Sequence, residues 1–268
     1  MVLSKRRVFS LVAALAMAGL AALSVWWALR KPADRAAAHR RLGRCVPARP
    51  CLAVVIDDVG RDLAAFEQLL ELHPALTLSV LPHAKHTAEV VAQLRQHRRE
   101  FLLHLPLSPT DRQAISDEPI VLSAGRPLAS AFAECLARVP GARGINNHMG
   151  SAFSADRRAL TALMALISRS GHYFLDSRTT PQSQVCSVAK SRGVACLSRD
   201  LFVDDQADSG TIGGRLAEAE RLARRRGWAI AIGHPTVSTL ASLRKFLSQP
   251  ANRQIIAPLG LLYAHLTP

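Results

Sequence analysis

Beyond residue 50, short apolar runs recur along the chain, and most of them end in a polar or charged residue. LAVVIDD (52–58), ALTLSVLP (75–82), EFLLHLPL (100–107), GINNHMG (144–150), YFLDSR (173–178), ACLSRDLFV (195–203), WAIAIGHP (228–235) and IIAPLGLLY (255–263) read as strands. Between them apolar residues fall at the helical period: Phe66, Leu69 and Leu70; Val90, Val91 and Leu94; Leu160, Leu163, Met164 and Ile167; Leu240, Leu243, Phe246 and Leu247. Ser154 stands where the third of these helices would be capped. Strands apolar on both faces, alternating with such helices, predict an α/β fold around a parallel sheet. About eight strands in roughly two hundred residues favour a closed or partly closed barrel over an open doubly wound sheet. No GxGxxG or GxxxxGK follows any strand, which argues against a nucleotide cofactor.

The first fifty residues break this pattern. Val8–Leu29 carries no charge, is preceded by Lys5, Arg6 and Arg7, and is followed by Arg30 and Lys31, with Trp26 and Trp27 near its end. That length spans a bilayer, and the tryptophans sit where an interfacial belt would lie. Residues 1–29 are therefore read as an uncleaved signal anchor, with a cleaved signal peptide as the alternative. Residues 30–50, rich in Arg, Ala and Pro without apolar periodicity, read as a flexible basic tether, and 51–268 as one domain. More positive charge follows the span than precedes it, which taken literally keeps the domain in the cytoplasm; the export habit of a first helix argues for the periplasm, and export is the reading taken.

Charge and cysteine content refine the picture slightly. The formal net charge is +14, but residues 1–50 hold +9 of it, leaving +5 for the rest. With aromatics at 5% and no basic run interleaved with them, no nucleic-acid partner is expected. None of the five cysteines forms a CxxC pair. Cys45 with Cys51, and Cys186 with Cys196, are spaced to close small loops in an oxidising compartment, leaving Cys135 in a helix; buried thiols throughout are the competing reading.

The chemistry gathers where strands stop. Apolar runs end in Asp57-Asp58, His104, Asn146-Asn147-His148, Asp176 with Arg178, and His234. In a parallel barrel these C-terminal ends share one rim, the rim that carries barrel active sites. Singly, each has a plain explanation: Asp58 caps a helix, His104 or His234 sits satisfied in a core, Asp176 caps or pairs. Together, one Asp and two His make a three-ligand set for a catalytic divalent metal, with a fourth position open. A metal also explains adjacent carboxylates at the end of a buried strand, one binding it and the other accepting a proton from water.

The motifs IDDVG, LLHLPLSP, INNHMGS, FLDSRT and AIAIGHP, in that order, resemble the divergent branch of the polysaccharide deacetylases, bacterial envelope proteins related to metal-dependent carbohydrate esterases. The resemblance covers about residues 52–262. It implies a distorted (β/α) barrel of about seven strands and one divalent metal, zinc foremost. It further implies Asp58, His104 and His148 as ligands, Asp57 as general base, His234 as general acid, and Asn147, Asp176 and Arg178 in support. The implied activity is removal of N-acetyl groups from an envelope glycan such as peptidoglycan. This chain departs from the ordinary deacetylases in having Leu105, Pro106 and Leu107 rather than a second histidine after His104, and it has Ser108 where the branch carries an acidic residue. A second reading keeps the barrel as a module that binds a glycan or a cell-wall hydrolase complex. A third, metal-free glycoside hydrolysis by Asp57 with Asp176, leaves His104 and His148 unexplained.

Overall fold

The computed structural model describes residues 49–111, 118–123, 127–206 and 208–266. The expected anchor at residues 1–29, nearly all of the tether 30–50, and Cys45 lie outside them. Among the described residues no helix is long and apolar enough to cross a membrane.

Eight strands form one parallel sheet: β1 (Cys51–Val59), β2 (Thr77–Val80), β3 (Phe101–Leu107), β4 (Gly144–Met149), β5 (Tyr173–Asp176), β6 (Cys196–Ser198), β7 (Leu201–Phe202) and β8 (Trp228–Gly233), in the order β6-β5-β4-β3-β2-β1-β8-β7. β6 and β7 are the two edges, yet only residues 199 and 200 separate them in sequence. An extended chain advances at most about 3.6 Å per residue, so the sheet must curl until its edges nearly meet. The connecting residues bind both sides: Arg199 N donates to Asp176 O of β5 at 3.0 Å, and Asp200 N to Ile230 O of β8 at 2.9 Å. The expected barrel is thus present as a curled sheet of eight strands rather than about seven, because the single run predicted at 195–203 divides into two short strands on opposite edges.

Strand alternation separates two apolar layers. On β1, Leu52, Val54 and Ile56 pack outward with the helices α1 (Leu63–Leu72), α2 (Thr87–Gln96), α3 (Leu128–Arg138), α4 (Ser151–Ala155), α5 (Arg157–Ser170), α6 (Val185–Ser191), α7 (Ser209–Arg226) and α8 (Val237–Leu247). Ala53 and Val55 face the interior with Leu102, Leu175, Ile230 and Ile232. A short α9 (Pro250–Arg253) leads to α10 (Leu259–Leu266), whose Leu259, Leu262 and Tyr263 close the N-terminal end of the interior. Leu259 N donates to Thr77 Oγ1 and Gly260 N to half-buried Glu100, both at strand starts. The opposite, C-terminal end is left for polar side chains.

Three expectations are corrected here. The run 255–263 is not a strand: it makes one bridge, Leu52 with Ile256, and then winds into α10, because Leu259, Leu262 and Tyr263 bury at helical spacing after Pro258. Ser154 does not cap α5; it lies in α4, and Asp156 accepts from Arg158 N and Ala159 N instead. Asp58 caps no helix either, since Asp62 accepts from Ala65 N at 3.1 Å to begin α1. The pair Cys186–Cys196 is a disulfide, joining α6 to β6, while Cys135 is a buried thiol in α3.

Candidate metal centre

The interior stripe of each strand turns polar at its C-terminal end. Continuing the alternation from Ala53 and Val55 reaches Asp57; from Leu102, His104; from Gly144, Asn146 and then His148; from Ile230 and Ile232, His234. Strict alternation would send Asp58 outward to the helices. Instead the β1–β2 register shifts between Ile56 and Val59, and Asp58 takes a left-handed backbone with φ 56°, so that both carboxylates face the rim. A similar turn follows His148, where Met149 has φ 54° and Gly150 φ 92°. A Cβ on Gly150 would lie 2.9 Å from Leu107 Cβ, so only glycine fits the turn.

Asp58 Oδ1 lies 3.2 Å from His104 Nε2 and 3.0 Å from His148 Nδ1. The oxygen is buried, yet it has no hydrogen bond of acceptable geometry despite these two near neighbours. One carboxylate oxygen and two ring nitrogens converging without satisfying each other form the donor set a divalent cation takes. Asp58, His104 and His148 are the group among the described residues with this arrangement. Burial works against the Asp58 carboxylate, but the two imidazoles hold its pKa well below the usual range. Burial likewise disfavours a charged His148, and Asp58 and Glu118 outweigh it, raising its pKa to about 9 while no cation competes.

Asn146 organises the buried side of the centre. Its Nδ2 donates to Asp57 Oδ1 at 2.8 Å and to Ser177 Oγ at 3.2 Å, which turns Oδ1 toward His104 Nδ1, 2.9 Å away; Ser79 Oγ donates to the same oxygen. His104 is thereby fixed with Nδ1 protonated and Nε2 toward Asp58. Asp57 is 2% exposed, and burial pushes its pKa up against the opposing effect of His104, His234 and Asn146.

Across the rim His234 meets Asp204: its backbone N donates to Asp204 Oδ2 at 2.6 Å and Nδ1 lies 3.1 Å from Oδ1, with Thr239 Oγ1 donating at 2.9 Å. A Cβ on Gly233 would lie 2.6 Å from Val203 Cγ2, so glycine lets β8 come this close. Burial disfavours protonated His234, but the Asp204 carboxylate prevails and raises its pKa to about 9.

The remaining sequence candidates brace loops. Asn147 points away from the interior; its Oδ1 accepts from Ser177 N at 2.9 Å and its Nδ2 donates to Met149 O at 2.8 Å. Asp176 accepts from Arg178 N and Ser183 Oγ, both at 2.8 Å, fixing the turn in which Arg178 is exposed with φ 49°. Neither Asp176 nor Arg178 reaches the Asp58 group. Sequence reasoning assigned no role to three contributors: Asn146, named only among the strand-end residues, Asp204 and Glu118. Asn146 was available from parity, sharing a face with His148 two residues on. Asp204 ends the run 195–203 as the other acids end theirs. Glu118, whose Oε1 lies 3.5 Å from His148 Nε2, comes from a loop with no periodic signal.

A parallel curled α/β sheet with an Asp-His-His group at its C-terminal rim defines the class, and a family model described as divergent polysaccharide deacetylase matches residues 54–260. The chain belongs to that family. It is 33% identical over 213 residues to an uncharacterized protein of Haemophilus influenzae, covering 76% of this chain and 74% of that one. It is 34% identical over 202 residues to the uncharacterized protein YibQ of Escherichia coli, covering 73% of this chain and 62% of that longer relative. Among solved structures, uncharacterized protein ATU2773 of Agrobacterium tumefaciens superposes with a TM-score of 0.70 at 26% identity, over 78% of this chain and 87% of the other.

Proposed function

We propose that the protein is a metal-dependent hydrolase that removes N-acetyl groups from an envelope glycan of the peptidoglycan kind, held at the inner membrane by residues 8–29 with its domain in the periplasm. The observation that carries the chemistry is the buried, unsatisfied Asp58 Oδ1 between His104 Nε2 and His148 Nδ1. Family membership supports the substrate class. The apolar N-terminal stretch and the Cys186–Cys196 disulfide support an oxidising compartment.

Asp58, His104 and His148 would hold the cation, for which zinc suits a carboxylate with two imidazoles. When bound it would polarise the acetamide carbonyl and lower the pKa of water to about 7. Asp57, buried and held by Asn146, then accepts the proton of the attacking water. His234, kept protonated to about pH 9 by Asp204, gives a proton to the departing amine, so that the C–N bond breaks to acetate and a free amino sugar. The raised His234 pKa keeps the acid protonated near neutrality, and burial makes the Asp57 carboxylate more basic than an exposed one.

Acetate release from N-acetylglucosamine oligomers and peptidoglycan tests the reading. Asp57→Asn is expected to lower the rate by about 10²-fold or more while metal stays bound. Full activity in that variant, or complementation of a deletion strain by it, would move the assignment to a glycan- or partner-binding module, including one serving a cell-wall hydrolase complex.

A further inference from the structure

The two imidazoles of the centre present different nitrogens to Asp58. His104 uses Nε2 because Asn146 Oδ1 takes its Nδ1. His148 uses Nδ1, 3.0 Å from Asp58 Oδ1, and its Nε2 faces Glu118 Oε1 at 3.5 Å. Glu118 has a side chain only 5% exposed, and Arg61 Nη2 donates to its Oε1 at 2.6 Å. Arg61 stands three residues beyond Asp58, on the loop between β1 and α1, so the chain Asp58, His148, Glu118, Arg61 returns to the segment just past the end of β1. Glu118 is outside the Asp-His-His group, on the far side of the ring.

A neutral imidazole carries one proton. A buried carboxylate at Nε2 draws that proton to Nε2 and leaves the Nδ1 lone pair directed at the centre. We propose that Glu118 is the positioning residue that makes His148 an Nδ1 ligand, and that Arg61 acts through Glu118 by holding its carboxylate in place. The assignment rests on the metal reading above. It gives the loop after β3 a role in the centre: a carboxylate from that loop, ten residues past Ser108, decides which nitrogen of a β4 histidine binds.

Zinc affinity of the full chain, measured by competition with a chelating indicator, tests this with Glu118→Ala, Glu118→Gln and Arg61→Met. The unmutated chain and all three variants are expected to bind one equivalent. Glu118→Ala weakens binding by about 10–100-fold. Glu118→Gln, which keeps an acceptor for Nε2–H but loses the charge, falls between. Arg61→Met weakens binding in the same direction, and adding it to Glu118→Ala costs nothing further, since Arg61 acts through Glu118. Nitrogen-15 NMR of the zinc-loaded protein is expected to show His148 metallated at Nδ1 and protonated at Nε2. Unchanged affinity in Glu118→Ala, or metal at His148 Nε2, overturns the assignment while leaving the metal reading intact. Complete loss of zinc in Glu118→Ala overturns it by making Glu118 a ligand. No zinc in the unmutated chain overturns the metal reading itself, and this assignment with it.

Discussion

Asn146 Nδ2 donates to Asp57 Oδ1 across 2.8 Å, joining β4 to β1 inside the curled sheet. Asn146 is fully buried and Asp57 nearly so. The bond therefore decides both how the carboxylate points and whether its burial is tolerable. Removing the amide strands a buried acceptor, which typically costs ~1–3 kcal/mol. Asn146→Ala is expected to lose about that much in urea denaturation of the metal-free protein, and to weaken zinc binding by freeing His104 Nδ1. A variant as stable as the parent would show that Asp57 is held by other means.

The His234–Asp204 pair carries a pH signature with a definite sign. His234 has a folded pKa of about 9, above its ordinary 6.5, so its contribution to stability is full below about pH 6.5 and fades as pH rises through 9. Asp204 is the opposite case, lowered from 3.8 by His234 and Thr239 against its burial, so its share is present above about pH 4 and lost as pH falls through the folded value. The stability gap between the parent and Asp204→Asn should be widest between about pH 4 and 6.5 and shrink toward pH 9. NMR titration of the His234 ring should give a midpoint near 9 in the parent and a lower one in Asp204→Asn. An unmoved midpoint would remove Asp204 from the pair.

Cys186 and Cys196 close a loop with a sequence separation of ten. A loop of that size restricts the unfolded chain by ~2–3 kcal/mol in the loop-entropy account. Replacing both with Ser should lower unfolding free energy by that order in oxidising buffer and shrink its response to dithiothreitol relative to the parent. A parent indifferent to reductant would place the bond outside the stabilising framework.

Most of this architecture was legible because strand and helix periods are local. Asp57, Asp58, His104, His148 and His234 each end or interrupt an apolar run, and a parallel sheet brings such ends together without further information. What escaped was non-local or depended on backbone detail. The bulge and left-handed turn that swing Asp58 inward cannot be read from IDDVG. The division of 195–203 into β6 and β7 depends on the sheet curling, and the helix at 259–266 hides in an apolar run that suits either period. Glu118 reaches His148 from a loop whose composition announces nothing, and it enters only through tertiary structure.

The proposed function depends on Asp58, His104 and His148 binding one divalent cation. Metal content by mass spectrometry of the purified full chain, alongside Asp58→Ala and His148→Ala, addresses it most directly. Close to one equivalent of zinc or another divalent ion is expected in the parent, with its loss from both variants. A parent that stays metal-free after reconstitution, or variants that keep the metal, would contradict it.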